Sequence, residues 1–174
     1  PKSVRITWQK KTRISQTVTL SESLEYRKAS RYFLGQKTTV LKAKRRAGMV
    51  LRLCNVAYFG KETYIIVEIE NKSDIDFEVD FVQLFKVNGN PRKKSSYQKL
   101  SLEPLYSHKK PSIVKVGHVE RFVYVLPKFT LSGKERLWLE LQEKRGSRKL
   151  VLKGNSNHGR AWPPVTQSQG NGPR

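Results

Sequence analysis

The chain of 174 residues has one cysteine, one methionine, three histidines and only 14 acidic residues against 35 Lys and Arg. A lone cysteine excludes an internal disulfide framework and any zinc site built on thiolates. Cys54 has strand-like neighbours and is expected to be a small buried hydrophobe rather than a reactive thiol. His108, His118 and His158 stand apart without HxxxH or HExxH spacing, and no GxSxG, GxxxxGKS or GxGxxG stretch occurs. The sequence therefore offers no catalytic residue, no metal-ligand set and no cofactor motif, and it reads as a non-enzyme. No apolar run approaches the roughly 18 residues that a membrane-crossing helix needs, so the chain carries no transmembrane segment of that kind. It begins at Pro1 rather than Met, as expected of a trimmed or processed piece of something longer.

What the chain does have is positive charge. The formal net charge of +21 attracts polyanions non-specifically, whether nucleic acid, anionic lipid or an acidic protein. The charge is uneven. Seven of the 14 acids fall between Glu62 and Asp80, while residues 1–46 hold 13 basic residues and only Glu22 and Glu25. Arg92, Lys93, Lys94, Lys109 and Lys110 crowd two loops and are candidate polyanion contacts, alongside the stretches RKASR from Arg27 and KAKRR from Lys42. Tyr26, Tyr32 and Phe33 interleave with that charge as stacking platforms would, but their helical spacing fits a core stripe more simply. No base-reading motif occurs, so contact with DNA is expected to be non-specific.

The opening VRITW reads as a short strand and TLSESLEYRKASRYFLG as a helix. Thr19 and Glu22 fit a capping box, Tyr26, Ala29 and Phe33 form one stripe, and Gly35 is placed to end it. Residues 37–48, basic and rich in small residues, read as a linker. From Met49 onward the apolar period changes to two. MVLRLCNVAYF and ETYIIVEIE flank Gly60-Lys61 as a hairpin, and RLWLELQEK and RKLVLK form another across Arg145-Gly146-Ser147. Further strands are expected over Ser112 to Val116 and Glu120 to Leu126. Seven or so short strands with short turns predict a mainly β, immunoglobulin-like sandwich over residues 47–153. It would follow a basic extension of residues 1–46, strand plus helix, and precede a disordered tail over residues 154–174. Ile65, Val67, Ile69, Phe77, Val79, Phe122, Tyr124, Leu137, Leu139 and Leu141 are the expected inward positions, with Trp138 on the opposite face.

The stretch DIDFEVDF alternates strictly. On one strand Asp74, Asp76, Glu78 and Asp80 would share a face while Ile75, Phe77, Val79 and Phe81 enter the core, with a bulge at Phe81-Val82. Same-face neighbours lie about 7 Å apart, too far for two adjacent acids to chelate an ion at about 2.4 Å, and no DxDxDG loop is near. The four acids therefore read as a solvated face that neighbouring Lys and Arg can pair with, or as a candidate docking face. Asn71-Lys72-Ser73 matches a glycosylation sequon, for which a turn between strands is the commoner reason.

IIVEIENKSDIDFEVDFVQLFK, a basic loop, a PLY segment, ERFVYVLPKFTL and ERLWLELQEKRGSRKLVLK follow one another in an order and spacing that resemble the carboxy-terminal half of the TraN proteins of bacterial conjugative transposons. The ENKS turn is Glu70 to Ser73, the DFxxDF strand Asp76 to Phe81, LPKFT Leu126 to Thr130, and the glycine turn Gly146. The resemblance covers about residues 45–153. It implies a non-enzymatic structural component of a conjugative transfer apparatus, similar in role to outer-membrane core subunits of type IV secretion systems. The expected location is the periplasmic or outer-membrane side, reached through an export signal outside this chain. Partners implied are other subunits of the apparatus and further copies of the chain. The charge alone points instead to a basic accessory protein that binds DNA or anionic envelope polymers non-specifically.

Overall fold

A computed structural model describes residues 18–89, 97–132 and 134–154. The expected strand at VRITW, the tail, His158, and Arg92, Lys93 and Lys94 lie outside the described residues.

Helix α1 (Leu20–Gly35) begins at a complete capping box: the Thr19 hydroxyl accepts from the Glu22 N–H while the Glu22 carboxylate accepts from the Thr19 N–H. Ten strands follow: β1 (Lys42–Arg46), β2 (Met49–Phe59), β3 (Glu62–Asn71), β4 (Phe77–Asn88), β5 (Gln98–Leu102), β6 (Tyr106–His108), β7 (Ile113–Val114), β8 (Val119–Pro127), β9 (Glu135–Glu143) and β10 (Lys149–Lys153). They build two antiparallel sheets, β1-β2-β3-β8-β6 and β10-β9-β4-β5, with β7 pairing the start of β4. With β1 and β7 set aside, these are the strand orders ABED and GFCC′ of an immunoglobulin-type sandwich.

Alternation decides which side each residue takes. All ten expected inward residues lie in the cluster between the sheets, joined by Met49, Leu51, Leu53, Val56, Leu84 and Leu150 among others. Trp138 faces outward as expected, yet it is only 8% exposed. The Nζ atoms of Lys153 and Lys99 lie 4.6 and 5.9 Å from its ring, and Tyr97 packs beside it.

A second cluster covers part of the other face of the first sheet. Tyr26, Ala29 and Phe33 of α1 pack on Cys54, Ala57, Tyr64, Ile66, Val123 and Val125. A bulge between Leu53 and Asn55 makes this possible, because β2 changes phase there: Leu51 and Leu53 point into the sandwich, Cys54 and Ala57 toward the helix. The helix is therefore a third layer on the sandwich.

Four elements depart from the sequence reading. Residues 37–48 are not a linker, because Lys42 to Arg46 pair in register with Leu53 to Met49 as edge strand β1. The turn is Ala47-Gly48, both with positive φ (49° and 73°), as a type I′ hairpin turn demands. Gly48 also lies against the next turn, where an added Cβ would fall 2.6 Å from the Ser73 Cβ. Strands β5 and β6 were not expected, and the Ser112 to Val116 strand shrinks to the two residues of β7. Among the described residues no helix is long and apolar enough to cross a membrane.

Candidate functional site

Where β3 ends, Asn71 is fully buried. Its Nδ2 donates to the carbonyls of Ile75 (2.8 Å) and Val114 (2.9 Å), and its Oδ1 accepts from the Ser73 N–H (3.0 Å) and hydroxyl (2.6 Å). Its backbone N–H donates to the His118 carbonyl, and its carbonyl accepts from the Gly117 N–H. One side chain thus fastens the β3–β4 turn to β7. A buried amide with both donor bonds made explains this asparagine as the organiser of a turn, not as a glycosylation acceptor.

Arg148, from the β9–β10 turn, closes the same end from the other sheet. It donates to the Ser73 hydroxyl (2.9 Å), to the Asp76 carbonyl (2.8 Å) and to the Glu143 carboxylate, and its guanidinium lies 4.9 Å from the Phe77 ring centroid. The hydrogen bond from Arg148 holds the Glu143 carboxyl below its ordinary range.

Here the alternating acids need correction. Strand β4 begins only at Phe77, so Asp74 and Asp76 lie in the turn and only Glu78 and Asp80 on the strand. Ile75, expected in the core, is 58% exposed. The reason is Asn71, whose grip on the Ile75 carbonyl keeps the backbone bent up to that residue, so strand periodicity does not apply before Phe77. The bulge lies between Val79 and Phe81, where Asp80 has no ladder partner, one step before its expected place. Phe77 and Val79 enter the core as expected, while Phe81 is only half-buried.

All four carboxylates are nonetheless exposed. The eight ion pairs of the described residues use Glu68, Glu70, Glu135, Glu140 and Glu143 as acids, and none uses Asp74, Asp76, Glu78 or Asp80. Among the described residues none of the four lies within ion-pair distance of a Lys or Arg, although the charge of Asp74 bears on Arg148. Asp76 instead accepts the Val116 N–H (3.0 Å) through Oδ1. Around this turn the same bonds gather exposed aliphatic residues that strand alternation did not reveal. Ile113 pairs with Glu78, Val116 bonds Asp76, Val119 pairs with Glu70, and all three are exposed together with Ile75. Strand β7 is too short to bury its alternate residue, and Pro111 and Gly117 at its flanks are the only sequence signal of that.

The basic residues segregate elsewhere. His108 is buried in β6, and the charges of Lys109, Arg31 and Arg27 bear on it. The helix stretch RKASR and the loop at Lys109 therefore meet at the β6 edge. Lys109 has φ 57° and is exposed, and Lys110 lies 6.0 Å from the Tyr124 ring. Arg27, Lys28, Arg31, Lys109 and Lys110 take part in none of the ion pairs above. Tyr26 and Phe33 are buried against the sheet and are not stacking platforms.

Elsewhere on the sheets several charges are paired, whereas Lys42, Lys44, Arg45 and Arg46 of β1 enter none of the ion pairs above. On the first sheet Arg52 bridges Glu68 (2.7 Å) and Glu70 (2.5 Å), and Arg121 meets Glu68 (2.8 Å). On the second, the buried Glu140 takes Lys99 (2.6 Å) and Lys149 (3.3 Å). Among the described residues no group of three or more His, Cys, Asp or Glu is arranged to hold a metal ion.

A family model described as "Domain of unknown function (DUF4138)" matches residues 26–158, from the middle of α1 through the whole sandwich. The chain belongs to this family. No curated protein matches it.

Proposed function

We propose that this member of the DUF4138 family is a non-enzymatic structural component of a conjugative transfer apparatus, acting through protein–protein contacts on the periplasmic or outer-membrane side. Two lines support the reading. The order of the ENKS, DFxxDF, LPKFT and glycine-turn blocks resembles the TraN proteins, and two of those blocks have a structural role here: Asn71 and Ser73 organise the turn, and Phe77 lies under Arg148. The observation that carries it is the end of the sandwich so held. Exposed Ile75, Ile113, Val116 and Val119 sit among carboxylates without ion pairs, on a chain of net charge +21 that had cations to spare for them. An exposed apolar patch with a polar rim is the usual mark of a protein-docking surface.

The test is made in donor cells. Ile113→Asp with Val116→Asp alters only exposed side chains, so the protein should accumulate normally while transfer frequency falls at least about tenfold, the loss of roughly 1.4 kcal/mol of binding. Transfer at the unaltered frequency, with normal protein level, would refute a docking role for this end.

A second reading, non-specific binding of DNA or anionic envelope polymers, is favoured by the basic residues of α1 and the β6 edge, which take part in none of the ion pairs of the described residues. It places the contact on Arg27, Lys28, Arg31, Lys109 and Lys110.

A further inference from the structure

Helix α1 turns one face to the sheet and leaves the other bare. Leu20 and Leu24 are 80% and 52% exposed, and Arg27, Lys28 and Arg31 are exposed as well. These five residues follow the spacing i, i+4, i+7, i+8, i+11 and so form one outward stripe, aliphatic at its start and cationic at its end. Its composition mirrors that of the β3–β4 end, where aliphatic residues stand among four exposed carboxylates outside the described ion pairs, with exposed Lys72, Lys115 and Lys144 at the margin. Of the eight exposed large hydrophobic residues of the described chain, Leu20 and Leu24 lie on the stripe and Ile75, Ile113, Val116 and Val119 at that end. Only Val40 and Leu100 lie elsewhere.

We infer that the acidic, apolar end of one copy of this chain docks on the α1 stripe of a second copy. Both halves of the contact are present on one chain, complementary in charge and each carrying aliphatic surface. They do not meet within a single copy. The helix sits over the start of β3, with the Tyr26 hydroxyl on Glu62 (3.3 Å) and Phe33 on Tyr64, whereas the acidic turn follows Asn71 at the strand's other end. Nine residues of strand separate the two by about 30 Å. Because the two surfaces differ, the contact is head to tail, and successive copies would continue into a ring or an open chain. A purely polyanionic ligand has no use for Leu20 and Leu24, which favours a protein occupant over DNA for the whole stripe. The inference names a partner for the docking end proposed above and rests on that reading.

Net charge decides the conditions of the test. Two copies of charge +21 repel at long range, so local complementarity is measured at about 150 mM salt, where the Debye length is about 8 Å. Under these conditions the 174-residue chain should sediment as associating species at about 100 μM. Two variants remove one half each: Asp76→Asn with Glu78→Gln, and Arg27→Gln with Arg31→Gln. All four side chains are exposed, and a melting curve verifies that each variant folds. Each alone should sediment as a monomer. Mixed one to one they should form a dimer and nothing larger, since the first retains its helix stripe and the second its acidic end, leaving one productive contact per pair. A monomeric native chain, a mixture that stays monomeric, or variants that associate like the native chain would each overturn the inference. If the native chain is monomeric but the Ile113, Val116 variant still lowers transfer, the docking end serves a different protein and self-association alone falls. If transfer is also unchanged, the docking role falls with it.

Discussion

Asn71 shows how much of the fold can hang on one amide. Replacing it with Ala takes the donor from the Ile75 and Val114 carbonyls and the acceptor from Ser73. A buried polar group left without a partner costs about 1–3 kcal/mol. Ser73 is half-exposed and can turn to water, so the total is expected near 3 kcal/mol, a fall in Tm of roughly 6–12 °C by calorimetry. A loss under one degree would mean the turn is held by its backbone alone. His108 contributes through its protonation. Burial first, then Lys109, Arg31 and Arg27, lower its pKa from 6.5. As pH falls the unfolded chain takes up this proton before the folded one does. The contribution is therefore intact above about pH 6.5 and is lost below it, until the folded pKa is reached. Between about pH 7.5 and 5.5 the native chain should lose more Tm than its His108→Gln variant. Equal losses would assign the pH dependence to other groups.

Among the elements, α1 can be tested through the thiol it covers. Burial first, then the charge of Glu68, pushes the Cys54 pKa up to about 11, and the residue is buried in one apolar cluster with Phe33 and Ala29 of the helix. A neutral, covered thiol reacts only when the cover lifts. Phe33 meets Tyr64 with ring centroids 5.0 Å apart and Phe59 at 6.4 Å. Phe33→Ala should cost about 3–5 kcal/mol of packing, concentrated in the helix layer. Labelling of Cys54 by a thiol reagent in native buffer should speed up at least about tenfold, since 1.4 kcal/mol of easier opening is enough for that. An unchanged rate would show that Cys54 is reached by another route. This layer was legible in the sequence because its signals are local: a capping box, a stripe at helical spacing, and later the two hairpins with glycine turns. Strand β1 was not legible, since KAKRR has no alternation and joins the sheet by backbone bonds alone. The start of β4 was misread for a different reason. The alternation of DIDFEVDF runs on through a turn, and only Asn71, bonding across to β7, shows where the strand begins. The acids of the candidate docking end could thus be read from sequence. The aliphatic residues beside them could not, because only the fold reveals which alternate positions of a two-residue strand stay outside.

At the scale of the molecule, cations outnumber what the fold can neutralise. Five acids of the sheets are committed to Arg52, Arg121, Arg148 and four lysines. Positive charge consequently accumulates at α1, the β6 edge and strand β1, and DNA is the probe that measures it. Neutralising Z phosphates makes log K fall with log salt at a slope of about 0.9Z. Arg27, Lys28, Arg31, Lys109 and Lys110 would supply a slope of about 4 to 5, with any contribution from Arg92, Lys93 and Lys94 added to it. Fluorescence anisotropy with two unrelated duplexes should then give equal affinities that collapse between about 50 and 200 mM salt. Arg27→Gln with Arg31→Gln should lower the slope by about 2 and weaken both duplexes alike, because lost phosphate contacts carry no sequence information. A tenfold preference for one duplex would require a base-reading element that this chain lacks in sequence, and would defeat the non-specific reading. An unchanged slope in the variant would move the polyanion contact off the helix and leave its stripe to the second copy alone.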